Sequence, residues 1–197
     1  MTKKLTDEQI RSAAEAAGLE YSALKAVAAV ESRGSGFLPD GQPVILFEGH
    51  IFWRQLVAVN KNPNDYLFGN ENILHQKRDQ SKYKGGAAEH ARLQQAAKID
   101  REAALKSASW GLFQVMGFNY SLCGFRRLQD FINAMYRSEA DHLEAALGYI
   151  RSAGLLPALK RLDWPAFAKG YNGSGYAANQ YDVKLAREYA AAKQKGW

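Results

Sequence analysis

The stretch Leu24-Lys25-Ala26-Val27-Ala28-Ala29-Val30-Glu31-Ser32-Arg33-Gly34 reads as an apolar helix that ends in a glutamate. Leu24, Val27, Ala28 and Glu31 stand at i, i+3, i+4 and i+7, so the carboxylate falls on the stripe that faces a core. Glutamate is rarely buried without a partner. A carboxyl held against apolar neighbours has its ionised form disfavoured, so its pKa rises toward working pH and it becomes competent as a general acid. The same residues also fit a helix end that frays, with Glu31 in water. The segment alone leaves both readings open.

On the N-terminal side, Thr6 followed by Gln9 reads as a capping box that starts a first helix, and Gly18 as its stop. Ile10, Ala13, Ala14 and Ala17 form the apolar face of that helix. On the C-terminal side, Phe37-Leu38 and Pro43-Val44-Ile45-Leu46-Phe47-Glu48 flank Pro39-Asp40-Gly41-Gln42 and predict a small hairpin around an Asp-Gly turn. This is the one strand signal in the chain. A helix is expected over 50–59, followed by a long polar loop over 60–86 with short helical turns. Loops of that length are usually functional. Residues 87–108 read as helical, with Asp100 capping a second segment. Leu128, Phe131, Ile132, Met135 and Tyr136 form a helical stripe, and Leu143, Leu147 and Ile150 continue one in the next helix. Asp163-Trp164-Pro165 reads as an N-cap with proline early in a helix reaching Gly170. A last helix over 180–193 carries Tyr181, Leu185 and Tyr189 on one face. The expectation is a mainly α chain forming a single domain over residues 1–197, with one hairpin and no linker or repeat.

At 197 residues the chain can bury a substantial core. Twenty-six basic side chains against twenty acidic ones give a net charge of +6. That excess suits an anionic partner such as nucleic acid, a lipid surface or bacterial cell wall, and it equally suits plain solubility. The basic residues are dispersed and no recognition motif stands out, so nucleic acid is not the expected partner. Lys184, Arg187, Lys193 and Lys195 on the last helix fit a solvated face better than a membrane contact. Cys123 is alone, so no intramolecular disulfide is available, and a lone cysteine reads as a small core residue. His50, His75, His90 and His142 lack metal-ligand spacing, which disfavours zinc chemistry; neither metal nor cofactor is expected. The N-terminal residues lack the apolar core of a signal peptide, and no stretch approaches the ~18 apolar residues of a membrane span. The expected site of synthesis is therefore the cytoplasm.

Two further segments bear on chemistry. In Ser109-Trp110-Gly111-Leu112-Phe113-Gln114-Val115-Met116-Gly117, glycines bracket an apolar run that contains one amide. Such an amide needs a hydrogen-bond partner, either a ligand or the backbone of a core turn. Lys169-Gly170-Tyr171-Asn172-Gly173-Ser174-Gly175-Tyr176 surrounds Asn172 with tyrosines and small residues, which suits a sugar-binding wall or simply a helix end and turn.

Taken in order, Glu-Ser at a helix end, Ser-x-Gly-Leu-x-Gln, and Tyr-Asn-x-Gly resemble the lysozyme-like superfamily of goose-type lysozymes and soluble lytic transglycosylases. The stretch from Gly36 to Phe52 narrows the resemblance to the phage N-acetylmuramidase family of endolysins, over about residues 5–195. The resemblance implies an α+β lysozyme-like fold, with helices around a catalytic helix and the hairpin beside the cleft. It implies hydrolysis of the β-1,4 bond between N-acetylmuramic acid and N-acetylglucosamine in peptidoglycan. By position, Glu31 matches the family's catalytic glutamate, while Ser109, Gln114, Tyr171 and Asn172 match residues that shape the cleft and hold substrate. Endolysins of this group often carry a separate wall-binding module, for which this chain has no length to spare. The basic surface then becomes the expected source of wall attraction, and a monomer released from the host cytoplasm after membrane permeabilisation the expected form.

Glu48 is the candidate second carboxylate. Glycosidases commonly use two, roughly 6.5–9.5 Å apart when inverting and roughly 5–5.5 Å apart when retaining. Glu48 ends the predicted strand after the Glu31 helix, which suits a place at the cleft; the other reading is an ion pair with an arginine such as Arg54. Asp40 reads as turn chemistry. Two alternatives stay in view. One is a transglycosylase of the same fold, which needs one glutamate because the substrate supplies its own nucleophile. The other is a non-catalytic module binding wall or nucleic acid.

Overall fold

Helix α2 (Tyr21–Glu31) is central because both of its faces are apolar. Leu24 and Ala28 enter one hydrophobic cluster, and Ala23 and Val27 enter another. The computed structural model describes residues 3–31 and 34–195, so Ser32 and Arg33 of the opening stretch lie outside the described residues. Helix α1 (Asp7–Ala17) packs on one side of α2. It starts at the capping box of Thr6 and Gln9 and stops where Gly18 turns left-handed at φ +63°.

Further along come α3 (Gly49–Ala58), α4 (Ala87–Ala97), α5 (Arg101–Lys106), α6 (Leu128–Arg137) and α7 (Glu139–Ser152). The chain finishes with α8 (Leu156–Lys160), α9 (Trp164–Asn172) and α10 (Tyr181–Gln194). The caps read from sequence are present: the Asp100 side chain accepts from Ala103 N–H, and that of Asp163 from Ala166 N–H. Helices α9 and α10 close over the second cluster, around Phe167 and Leu185. The polar 60–86 segment contains two short 3-10 turns, Pro63–Tyr66 and Gln80–Lys82. It is pinned by Ile73 and Leu74, both fully buried.

The sheet departs from the hairpin expectation. Residues 36–44 do fold back, with a bridge between Phe37 and Pro43 and Leu38 N–H donating to Gln42 O at 2.8 Å. The following strand β1 (Ile45–Phe47), however, pairs with β2 (Ala108–Trp110), which pairs with β3 (Val115–Met116), all antiparallel. Strands of two or three residues are too short to show a period-2 pattern, and β2 begins at the last residue of the helix expected over 87–108. Opposed residues share a face. Leu46, Ser109 and Met116 therefore lie on one side, while Ile45, Trp110 and Val115 are buried on the other.

Strand β1 is an edge, and α4 covers it. Phe47 N–H donates to Glu89 at 3.0 Å, and Arg92 donates to Phe47 O at 2.9 Å. Glu89 and Arg92 pair at 2.6 Å, with side chains 0% and 4% exposed. Burial pushes the Glu89 pKa up, but the N–H groups of Lys84 and Phe47 and the Arg92 charge outweigh it and hold the carboxyl below its ordinary value. A buried charge is tolerated here because every neighbour is a donor.

Candidate active site

Glu31, on the last turn of α2, sits half-buried on a cleft of about 520 Å³. Ser35, Leu46, Arg78, Ser109 and Gln114 complete much of its wall. Leu46 and Ser109 reach it because they share a sheet face. Asn172, the last residue of α9, donates its Nδ2–H to Glu31 Oε1 at 3.2 Å, across 141 residues of sequence. The Asn172 Oδ1 atom is buried without a protein partner, which leaves an acceptor beside the acid.

Ser109 and Gln114 both line the cleft and bond each other, and the Gln114 amide also bonds backbone. Ser109 Oγ–H donates to Gln114 Oε1 at 2.8 Å, while Gln114 Nε2–H donates to Gly111 O at 2.8 Å. Gln114 holds φ +49° and Gly111 φ +69°, so the β2–β3 turn is left-handed at both positions. Tyr171 faces a smaller pocket of about 170 Å³, which Gln114 also borders. Its ring stacks on Phe167 at 5.5 Å and meets Tyr149 edge-on at 5.9 Å. Burial, and then the neighbouring Glu31 charge, push the Tyr171 hydroxyl well above its usual pKa.

Glu48 stands one side chain back from the cleft. It is 8% exposed and accepts a short hydrogen bond from Tyr83 Oη–H. His50 Nδ1 lies 3.3 Å from Glu48 Oε2, and Arg78 is 4.0 Å from Oε1. Its arginine partner is thus Arg78, in the long loop, and not Arg54. Asp40 does turn chemistry, its Oδ1 accepting from Gln42 N–H at 3.0 Å. Cys123 is buried, and burial pushes its thiol up to about 12, far from nucleophilic use at neutral pH.

Several residues of the site escaped the sequence reading. The first turn of α7 ties down the wall from behind. Glu139 Oε1 accepts from Gly36 N–H at 2.7 Å and Oε2 accepts from Leu5 N–H at 2.8 Å. His142 Nδ1 accepts from Leu112 N–H at 3.0 Å, and its Nε2 lies 2.8 Å from Met135 O. An imidazole whose Nδ1 accepts carries its proton on Nε2, so His142 is the neutral Nε2–H tautomer. Burial holds its pKa below the ordinary value. A Cβ at Gly36 or Gly111 would come within 2.6 or 2.7 Å of this ring, so glycine is required at both positions. Glu139, His142, Leu143, Ala146 and Ile150 follow the i, i+3, i+4, i+7, i+11 spacing of a buried stripe. Polar residues on that stripe were the available signal, the same anomaly that marks Glu31.

Fold and cleft together place this protein among the lysozyme-like glycoside hydrolases: a small antiparallel sheet beside a central helix that presents a carboxyl to a groove of hydroxyls and amides. The chain belongs to the N-acetylmuramidase family, whose model matches residues 20–193. It is similar to the crystal structure of the Burkholderia AP3 phage endolysin, with TM-score 0.91 and 40% identity over 98% of this chain and 73% of that one. No curated protein matches the sequence. As a muramidase it acts on the glycan strands of peptidoglycan.

Proposed function

We propose that the protein is a phage endolysin that hydrolyses the β-1,4 bond following N-acetylmuramic acid, with Glu31 as proton donor. The observation that carries this reading is the Glu31–Asn172 pair at the head of the cleft. Asn172 holds the Glu31 carboxyl in place through Oε1, and the carboxyl gives its proton to the leaving glycosidic oxygen as the bond breaks. Water then adds to the anomeric carbon, and its proton returns to the protein or to solvent. Ser109 and Gln114 hold the strand along the sheet side, and Tyr171 with Asn172 along the α9 side. Glu48 is assigned as the site's second carboxylate in a positioning role, acting through Tyr83 and Arg78. The similarity to a phage endolysin supports release into the host cytoplasm before attack on the wall.

Glu31→Gln tests the assignment. General acid catalysis typically contributes about 10²–10⁴-fold, and a loss of that size is expected with binding to isolated sacculi retained. Equal lysis by wild type and variant would remove Glu31 from the mechanism. Mass spectrometry of released fragments should show reducing-end N-acetylmuramic acid. A 1,6-anhydro sugar as main product would make the enzyme a transglycosylase.

A further inference from the structure

Arg78 lies on the 60–86 segment and lines the Glu31 cleft, where it is the one cationic side chain among the described residues of the wall. Its side chain is 59% exposed. Its Nε–H donates to Tyr83 Oη at 3.2 Å. Tyr83 in turn donates to Glu48, so a buried carboxylate fixes the tyrosine and the tyrosine orients the guanidinium. The Glu48 charge does not saturate Arg78. At 4.0 Å it is the longest ion pair in the protein's described part, and the oxygen nearest Tyr83 and His50 is already engaged. A guanidinium offers five N–H donors in a planar fork that matches a carboxylate. Here Nε–H is spent on Tyr83 and Nη2 lies 4.0 Å from Glu48, while the side chain as a whole lines the groove.

We propose that Arg78 is the anion-recognition residue of this cleft and takes a carboxylate carried by the glycan strand's side groups. The inference rests on peptidoglycan as the substrate. Glucosamine units are neutral, whereas each muramic acid unit carries a lactyl ether whose carboxyl is free or joined to an acidic peptide. An arginine beside Glu31 therefore distinguishes the two sugars by charge and sets which bond lies over the acid. Glu48, one residue beyond strand β1, and Tyr83 hold the fork, which gives the long loop a function in the site.

The test measures binding of Glu31→Gln and of Glu31→Gln/Arg78→Gln to three soluble strand preparations. These are strands with peptides intact, strands stripped of peptide by an amidase so that the lactyl carboxylate is bare, and intact strands whose carboxylates are converted to methylamides. Glu31→Gln is expected to bind intact strands roughly tenfold or more tightly than methylamidated ones, as one charge-assisted contact allows. The double variant should lose that preference, and Arg78→Lys should recover part of it, since lysine keeps the charge without the fork. Because an intact strand has its lactyl carboxyl tied up as the peptide amide, a preference for intact over methylamidated strands identifies the peptide carboxylates, whereas tight binding of the stripped strands alone identifies the lactyl carboxylate. If Glu31→Gln binds neither intact nor stripped strands more tightly than methylamidated ones, or if the preference survives in the double variant, the proposal is overturned. Failure of the underlying reading shows separately, as absence of sugar-chain cleavage by the wild-type enzyme on intact strands.

Discussion

The two sides of the cleft are held in different ways. The wall formed by Ser35, Gly36, Gly111 and Leu112 is fixed through backbone: Gly36 N–H to Glu139, Leu112 N–H to His142, Val44 N–H to Gly36 O and Gly111 N–H to Val44 O. At the Arg78 rim the side chains are held by one another, Glu48 to Tyr83 and Tyr83 to Arg78. Buried backbone groups must be paired, so the wall has one low-energy arrangement. The exposed Arg78 guanidinium is oriented by a single hydrogen bond from its Nε–H to Tyr83, a lighter hold than the paired backbone of the wall. A muramidase thus pairs a rigid surface, against which the acid is aimed, with a rim that can follow the substrate's charged branches.

Breaking the wall should have the largest effect on stability. Glu139→Ala strands two donors, Leu5 N–H and Gly36 N–H, each worth about 1–3 kcal/mol when left unsatisfied. Denaturant unfolding should show a total loss of roughly 2–6 kcal/mol, and a loss below about 1 kcal/mol would mean the wall is not held there.

The second effect is a pH dependence centred on His142. Its folded pKa lies below the unfolded value near 6.5 because the ring is buried; Met135 O, Glu139 and Asp141 pull the other way without restoring it. The unfolded chain therefore binds the proton more readily. Stability from the neutral ring is present above the unfolded pKa and is lost as pH falls through the folded one. Protonation also sets an Nδ1–H against the Leu112 N–H. His142→Asn keeps an acceptor near Nδ1 but cannot titrate in this range. Thermal melts from pH 7 to 4 should show a shallower acid decline for the variant, and parallel declines would exclude His142 as the source.

The smallest effect is expected at the rim. Glu48→Gln keeps an acceptor for Tyr83, so stability should change by less than about 1 kcal/mol and turnover far less than in Glu31→Gln. A turnover loss matching Glu31→Gln would move Glu48 from positioning into the chemistry and erase the contrast between rim and acid.

Much of this was legible in the chain. The capping box at Thr6, the Asp100 and Asp163 caps and the stripes of α6 and α7 are local signals, and the helices follow them to within a few residues. Glu31 stood out because a carboxylate interrupts an apolar stripe. Strands β2 and β3 did not, since β2 pairs with β1 across more than sixty positions and the shortness of both strands hides any alternation. Arg78 and Tyr83 lie in a loop whose composition says only that it is polar.

The helical architecture follows from the chain alone, because helix periodicity and capping act over a few residues; the ordered motifs carry the family resemblance, and the interrupted apolar stripe marks Glu31 as the candidate acid. Tertiary structure decided what surrounds the acid. Asn172 lies 141 residues from Glu31, Glu139 lies 103 from Gly36, and Tyr83 lies 35 from Glu48. Those partners are chosen by which buried donor finds which acceptor when the helices pack, and that pairing has no local periodicity to announce it.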